Sequence, residues 1–423
     1  MKSLLRKWFV WLILTVLVGQ AVLPAKAWAA REPLIVGKGA VLINGRTGEI
    51  IWSKNPDQKL YPASTTKILT TLLALEKGNL DDIVTVSRRA MQQEGSAIWL
   101  QEGEQISLRD LLYAVMLNSA NDAAAAVAEH IGGSIENFAQ MMNERARQAG
   151  AVNSHFANPN GLPNPDHYTT PKDLALIAYA AMQNPHFREI VASKTFNIKR
   201  QDPAALTQLI NHNKLLWRYP GANGIKTGYT VAARQCLVAS AQRDGEEFIA
   251  VVLGSEGRNI WTDCTTLLDY GFNNFKTVLA AKAGEKVGEV PVSEGAKKAV
   301  AILKEDLYVT VPKDQPLPSW SRAAHLLDNV QAPVEKGQKL GEMVLLLGDK
   351  PQARAEVVAE SGVAKKKWAS FVTSTGQVWS EYKWWFFGSG GMVLVGGYLL
   401  ALARKKRRQQ RRFSRYYYDD SEY

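Results

Sequence analysis

The sequence is poor in the residues that most often build metal centres. Its 423 residues include only two cysteines, Cys236 and Cys264, and six histidines. No pair of them has a Cys-x-x-Cys or His-x-x-x-His spacing, which excludes the common zinc motifs. We therefore expect no metal ion and no other cofactor. A disulfide is open to an exported chain, but Cys236 lies in a predicted buried strand, which favours free thiols.

A basic surface for nucleic acid is also missing, although the net charge is +11. Residues 1–30 contribute +4 of this charge and residues 404–423 contribute +5, which leaves +2 for everything between them. Positive charge that gathers at the two ends indicates targeting and membrane topology. We expect no nucleic-acid partner.

The two ends of the sequence have the features of targeting and membrane-anchoring segments. Residues 1–30 have basic residues, an apolar stretch and small residues in the order of a cleaved signal peptide, with an uncleaved anchor as the alternative. Residues 384–403 are twenty uncharged residues, enough for one transmembrane helix; an amphipathic helix lying on the membrane is the alternative. The basic segment 404–423 would then be cytoplasmic and the rest of the chain would lie outside the plasma membrane.

The first of three short motifs is Ser64-Thr65-Thr66-Lys67, at a predicted helix start. Residues i and i+3 share a helix face, so Lys67 should lie beside Ser64 and remove its proton if partly desolvated. By itself the motif is also typical of a serine helix cap. The helix is predicted from apolar residues at helical spacing, namely Ile68, Leu69, Leu72, Leu73 and Leu75.

The second motif, Ser119-Ala120-Asn121, connects a predicted buried helix (108–117) to an alanine-rich helix that begins near Asp122. Two polar side chains in such a connection project into a cavity, or belong to an ordinary turn with a left-handed asparagine.

The third motif, Lys226-Thr227-Gly228, begins a predicted strand that is followed by a hairpin. An edge strand here can bind an extended peptide through its main chain, and Gly228 allows close approach. The alternative is a plain sheet edge with a solvated lysine.

Together the motifs resemble those of the penicillin-recognising serine enzymes. Flanking segments are similar to the low-molecular-mass D-alanyl-D-alanine carboxypeptidases, namely Tyr61-Pro62-Ala63, Asn158-Pro159-Asn160-Gly161-Leu162 and Tyr229-Thr230. The resemblance implies an α/β (α+β) β-lactamase/transpeptidase-like fold, with an antiparallel sheet flanked by helices. It implies a catalytic domain over 31–275, a small all-β domain over 276–372, a linker over 373–383 and the transmembrane helix over 384–403.

The resemblance also implies the roles of the site residues. Ser64 would attack a peptidoglycan stem peptide, Lys67 would accept its proton, and Ser119 with Lys226 would protonate the leaving D-alanine. The N–H groups of Ser64 and Tyr229 would form the oxyanion hole, and Asn121 would hold the substrate amide. The remaining substrate-binding residues would be Thr227 and Gly228, with Arg258 near the terminal carboxylate. β-Lactam antibiotics would acylate the same serine.

One position departs from the family pattern. Ala233 is followed by Arg234, where the family usually has glycine, so substrate preference or drug sensitivity is expected to differ.

The same motifs are also compatible with other functions. A β-lactamase would need a Glu-x-x-Leu-Asn segment, which is absent; a transpeptidase would use an amine acceptor; a wall-binding scaffold would have a broken motif set. The motifs favour the carboxypeptidase.

Overall fold

The structure is a computed structural model that describes residues 32–366 and 395–408. The chain divides into two compact units. Among the described residues, the first comprises 32–278 together with Tyr308–Leu317, and the second comprises Leu279–Leu307 and the residues from Pro318 onward. The predicted signal peptide (1–30) and linker (373–383) lie outside the described residues.

The strands alternate with helices in the first unit and follow one another in the second. In chain order the strands are β1 Gly39–Asn44, β2 Ile50–Lys54, β3 Ile83–Thr85, β4 Gln105–Ser107, β5 Thr195–Asn197, β6 Gln208–Ile210, β7 Ala222–Thr230, β8 Arg234–Arg243, β9 Glu246–Ser255, β10 Phe275–Ala281, β11 Lys286–Val290, β12 Val292–Ser293, β13 Ala299–Leu303, β14 Leu307–Pro312, β15 Ser321–Leu326, β16 Val330–Gln331, β17 Lys339–Leu347 and β18 Lys350–Ala359. The α-helices are α1 Lys67–Lys77, α2 Arg88–Met91, α3 Leu108–Tyr113, α4 Asn121–Gly132, α5 Ile135–Gln148, α6 Pro171–Met182, α7 Pro185–Ala192, α8 Leu215–Arg218 and α9 Asn259–Asn274.

The first unit is built on a five-stranded antiparallel sheet with the order β2-β1-β9-β8-β7. The hairpin between β8 and β9 turns at Asp244-Gly245, where both residues have positive φ (50° and 82°), as a tight two-residue hairpin requires. Strand β7 lies at the end of this order, which confirms the prediction that the Lys-Thr-Gly motif occupies a sheet edge.

The sheet separates two hydrophobic cores, because both of its faces are covered by helices. Helices α1, α6 and α7 pack on one face, where the alanine-rich α4 joins the same core by packing against α1, and α9 packs on the other face. Cys236 belongs to the first core and Cys264 to the second, and both are free thiols. They are not paired, because the side chain of Cys236 and the α9 helix lie on opposite sides of β8.

The helical connections differ in detail from the sequence-based expectation. Helix α3 ends at Tyr113, and the wider turn Ala114–Asn118 carries the chain to the second motif. The predicted alanine-rich helix is α4. Ser64 lies in a short 3₁₀ turn, Ala63–Thr66, so the α-helix itself begins only at Lys67.

The second unit contains a five-stranded sheet with the order β11-β13-β18-β17-β15, all antiparallel. Strand β13 of this sheet alternates buried and half-buried residues, which is the period-2 pattern of a sheet with one face on a core. This confirms the predicted antiparallel β-domain for the residues described, up to 366.

Residues 395–408 form a further helix. The predicted membrane span (384–403) lies partly outside the described residues, from 384 to 394. Among residues 32–366 and 395–408, no helix has the length and apolar character needed to cross a bilayer.

Candidate active site

The first motif places a lysine directly against a serine. Lys67 Nζ lies 3.1 Å from Ser64 Oγ, as the predicted i, i+3 spacing requires. Ala63, just before the serine, has a φ of 49°, which is uncommon for a residue with a side chain. The turn Ala63–Thr66 therefore presents the hydroxyl to the end of the lysine side chain.

Lys67 is fully buried, and oxygen atoms surround its amino group. Asn121 Oδ1 and the Asn160 carbonyl oxygen each accept a hydrogen bond of 2.7 Å from Nζ. Burial lowers the pKa of Lys67 well below its usual value, and the positive charge of Lys226 lowers it further, while Asp122 opposes the shift. The amine is therefore driven towards its neutral form, which can accept a proton.

The loop Asn158–Leu162 holds the lysine from the far side. Its Pro159 carbonyl accepts a 2.6 Å hydrogen bond from Thr70 Oγ1 on α1. Gly161 has a φ of 84°, and a Cβ added there would lie 1.9 Å from the Ala63 carbonyl oxygen. Only glycine fits this close approach, so the loop and the serine turn are locked together.

His167 belongs to the same support and is not a ligand. Its Nδ1 accepts from Ala157 N at 3.1 Å, and its Nε2 lies 2.8 Å from Thr66 Oγ1. Burial lowers the pKa of His167 to about 4, so the ring is neutral and donates from Nε2 to the threonine.

In the second motif the left-handed residue is Ser119, with a φ of 62°, and not the asparagine. This conformation ends the turn Ala114–Asn118 and leaves Ser119 at the cavity with Ser64. Asn121 begins α4, and its side chain is engaged at both ends: Oδ1 accepts from Lys67, and Nδ2 donates to the Glu94 carbonyl at 2.5 Å. The asparagine therefore positions the lysine.

Asp122 fixes the loop 94–100 that crosses this side of the site. Its buried carboxylate accepts from the backbone N–H groups of Ile98 and Leu100, the latter at 3.0 Å. Asn121 N donates to the Ser96 carbonyl at 2.7 Å. Asn121 and Asp122 thus connect the loop 94–100 to the second motif. Asn121 also hydrogen-bonds Lys67, and the charge of Asp122 raises the pKa of Lys67.

The third motif runs beside the serine along β7. A Cβ added to Gly228 would lie 3.0 Å from Ser64 N and 3.1 Å from the Pro62 carbonyl oxygen, so the glycine permits this approach. Lys226 is 1% exposed, and burial lowers its pKa to about 7. Tyr229 follows on the strand with its side chain exposed.

A cavity of about 290 Å³ unites most of the predicted residues. Its predicted lining residues are Ser64, Ser119, Thr227, Gly228 and Tyr229. The cavity is also lined by residues that the sequence analysis did not predict to be part of the site, namely Ser96, His212, Gln235, Cys236, Leu237, Ile260 and Trp261. The contacts of Asn160 and Asp122 were also missed, although both lie within or next to segments that the sequence had marked.

Arg258 and Arg234 are not among the residues that line this cavity, although each lies within two residues of one that does, Ile260 and Gln235 respectively. Arg258 is exposed just before α9 and does not line it. Arg234 is exposed at the start of β8 with a φ of 61°. Glycine adopts that conformation without a steric penalty, which explains why glycine suits this position.

A serine against a buried lysine, on an antiparallel sheet with helices on both faces, defines the class of penicillin-recognising serine enzymes. Comparison with known families agrees. Residues 26–257 match the D-alanyl-D-alanine carboxypeptidase model, and residues 275–365 match the model for the C-terminal domain of penicillin-binding protein 5. The chain belongs to the D-alanyl-D-alanine carboxypeptidase family, the serine carboxypeptidases among the low-molecular-mass penicillin-binding proteins, and its activity is that of a hydrolase in cell-wall metabolism.

Individual relatives span most of the chain. D-alanyl-D-alanine carboxypeptidase DacF of Bacillus subtilis is 34% identical over 82% of this chain and 90% of its own length. The solved penicillin binding protein 5 from Haemophilus influenzae is 32% identical with a TM-score of 0.65, and covers 79% of this chain and 99% of the solved chain. A mutant of the Streptomyces K15 DD-transpeptidase is 34% identical with a TM-score of 0.55, over 57% of this chain and 100% of the solved one.

Proposed function

We propose that this chain removes the terminal D-alanine from peptidoglycan stem pentapeptides through an acyl-enzyme on Ser64. The hydrogen bonds of Lys67 carry this proposal. A neutral amine has two N–H groups and one lone pair, and the two carbonyl-type oxygens of Asn121 and Asn160 can only accept. They take both N–H groups, so the lone pair faces the Ser64 hydroxyl 3.1 Å away.

In the acylation step, Ser64 Oγ attacks the carbonyl carbon between the two D-alanines as its proton passes to Lys67 Nζ. The N–H groups of Ser64 and Tyr229 stabilise the oxyanion, and each such donor is worth roughly 10²–10³ in rate. The close approach allowed by Gly228 supports this pairing, because it brings β7 against the serine turn.

When the tetrahedral intermediate collapses, the C–N bond breaks and the nitrogen of the departing D-alanine takes a proton. We assign this proton to a path through Ser119 and Lys226. The pKa of about 7 for Lys226 supports it, because such an amine exchanges protons near neutral pH. Lys226 and Thr227 would receive the terminal carboxylate. Arg258, which is exposed two residues before the cavity residue Ile260, would contact the same carboxylate.

Asn121 retains a second amide proton beyond the one donated to Glu94, and this proton would bind the substrate amide. Water then hydrolyses the ester on Ser64, with Lys67 as the base. β-Lactams would acylate the same serine, and the resulting acyl-enzyme would be hydrolysed slowly. The similarity to the Streptomyces K15 DD-transpeptidase makes transfer to an amine the second candidate outcome of the same acyl-enzyme.

We further propose that residues 1–30 are a signal peptide, that 384–403 cross the plasma membrane once, and that 404–423 are cytoplasmic. The catalytic domain (31–275) and β-domain (276–372) would then face peptidoglycan. The charge distribution and the uncharged run support this topology. Protease added outside intact cells should remove the ectodomain and spare an epitope at Tyr423.

Product analysis tests the enzymatic proposal. The full chain in detergent should release D-alanine from a stem pentapeptide and bind fluorescent penicillin covalently. Ser64→Ala should abolish both, since the nucleophile is gone. Cross-linked peptide dimers in place of free trimmed peptide would assign transfer instead of hydrolysis. An intact wild-type protein that stays unlabelled would refute the acyl-enzyme on Ser64.

A further inference from the structure

The buried side chain of Arg200 uses every hydrogen-bond donor it has. A guanidinium carries five N–H groups. Two of them bind both carboxylate oxygens of Glu104, whose side chain is also buried. The other three donate to the backbone carbonyls of Ile98 (3.0 Å), Trp99 (3.3 Å) and Leu206 (3.3 Å). A lysine ammonium has three donors at a single point, so it could not make these five bonds.

Arg200 holds loop 94–100 from the side opposite to Asp122. The Ile98 N–H donates to the Asp122 carboxylate, while the Ile98 carbonyl accepts from Arg200. Trp99 is exposed and has a φ of 56°, a left-handed conformation that costs free energy in a residue with a side chain. The bond from Arg200 to the Trp99 carbonyl therefore stabilises a loop conformation that is unfavourable for the backbone alone.

The other end of this loop supports the residues that bind Lys67. Gln93, just before the loop, accepts a 2.9 Å hydrogen bond at Oε1 from Asn160 Nδ2. The Glu94 carbonyl accepts from Asn121 Nδ2 at 2.5 Å. Asn121 and Asn160 are the two residues whose oxygen atoms accept from Lys67 Nζ. This end of the loop is exposed, so packing contributes little to its position.

We propose that Arg200, paired with Glu104, is a positioning residue for Lys67. It fixes loop 94–100 in the conformation that supports the two asparagines around the amine. The inference rests on the proposed function, because that function gives Lys67 the role of the base. A buried ion pair with a structural role alone would affect stability and would leave the chemistry of Lys67 unchanged.

Arg200→Lys tests the proposal, because it keeps the charge and removes donors. The loop should loosen, the two asparagines should lose their support, and water should reach the amine. Acylation of Ser64 by penicillin should then slow by roughly ten- to a hundredfold, as a displacement of about 1 Å allows. Weaker desolvation raises the pKa of Lys67, so the acid limb of the acylation profile should move to higher pH.

The charges that face Lys67 stay the same in this variant. They are those of Lys226 on β7 and Asp122 on α4. The His167 ring, from the segment before α6, has a pKa of about 4 and is neutral above that pH. A shift of the acid limb would therefore report the lost position of the loop and not a change of charge.

Glu104→Asp is the second variant, and it also keeps its charge. The shorter side chain cannot preserve both bonds to the guanidinium, so rate and limb should change in the same direction by less. The matched control is Arg145→Lys. It disrupts the two bonds of 2.8 and 2.9 Å from Arg145 to Glu76, which lies roughly 13 Å along α1 from Lys67. The control should lower the melting temperature and leave the rate and the limb in place.

Labelling of the full chain in detergent with fluorescent penicillin, across a range of pH, measures the rate and the limb on folded protein. If Arg200→Lys does not fold, Glu104→Asp decides. A wild-type rate with an unmoved limb, or a limb that moves to lower pH, would overturn the positioning role even where the melting temperature falls. A wild-type protein that is not labelled, or that is labelled without any acid limb, would instead refute the proposed function.

Discussion

The two units of this chain bury different kinds of residue. All the buried polar and charged side chains that the structure describes belong to the first unit, among them Lys67, Lys226, Asp122 and His167. The buried residues described in the second unit are apolar, as in β17 and β18. Burial of a charged group has a desolvation cost, which is absent from a core made of apolar side chains. Among the described residues, the buried charges therefore gather in the unit that carries the candidate active site.

Lys67→Met gives the largest expected effect, because it removes the buried amine and keeps the side-chain volume. D-Alanine release and acylation by penicillin should fall by roughly 10³ or more, since both need the proton acceptor. The melting temperature should change little, because the gain from removing a buried amine is offset by the hydrogen bonds that Asn121 Oδ1 and the Asn160 carbonyl lose. Labelling kinetics and calorimetry measure the two effects.

A core variant in the second unit is the counterpart of this change. Leu340 is fully buried there, and Leu340→Ala should cost about 2–5 kcal/mol of stability through the cavity it leaves. Acylation at Ser64 should be unaffected. The comparison between the units fails if Lys67→Met destabilises the protein as much as Leu340→Ala does.

Gly161→Ala is expected to have the next largest effect. Its Cβ would lie 1.9 Å from the Ala63 carbonyl oxygen, so the serine turn and the Asn158–Leu162 loop must separate and Lys67 loses the Asn160 oxygen. Penicillin acylation should slow at least tenfold, and about 2–4 kcal/mol of stability should be lost.

Gly103→Ala provides the matched control. Gly103 has nearly the same φ, 82° against 84°, but nothing lies within 4 Å of an added Cβ. It should lose only about 1 kcal/mol, for the left-handed conformation, and keep its acylation rate. Equal losses in the two alanine variants would show that backbone conformation, and not the contact with Ala63, sets the requirement for glycine.

Asp122→Asn should change the pH dependence more than the maximal rate. The Asp122 charge raises the pKa of Lys67, against the lowering by burial and by Lys226. Its removal therefore lowers that pKa further. If neutral Lys67 is the base, the rate rises with pH through this pKa, so the acid limb of the acylation profile should move to lower pH.

Asp263→Asn is the control, because this buried carboxylate binds the backbone N–H groups of Val36 and Gly37 on the other side of the sheet. It should reduce stability and leave the acid limb in place. An unchanged limb in Asp122→Asn would remove Asp122 from the electrostatics of Lys67.

Local patterns predicted much of the site. The i, i+3 spacing predicted the contact of Lys67 with Ser64, and the strand followed by a hairpin predicted that the Lys-Thr-Gly motif lies on a sheet. Each of these depends on residues that are neighbours in sequence, where backbone geometry fixes the outcome. The identity of the left-handed residue was harder to predict from the sequence. The turn Ala114–Asn118 is wider than an α-helical turn, so the left-handed conformation falls on Ser119 and not on Asn121.

The chemical groups of the site, their order and the family of the chain follow from the amino-acid sequence. The surroundings of Lys67 depend on the folded chain, because Asn121 and Asn160 lie 54 and 93 residues away along the sequence. Likewise the fold sets Cys236 and Cys264 in separate cores, and it brings Arg200 to Glu104, 96 residues earlier in the chain. Contacts between such distant residues arise from the packing of whole elements, which no local pattern encodes, and burial by that packing is what lowers the pKa of Lys67 and lets it act as a base.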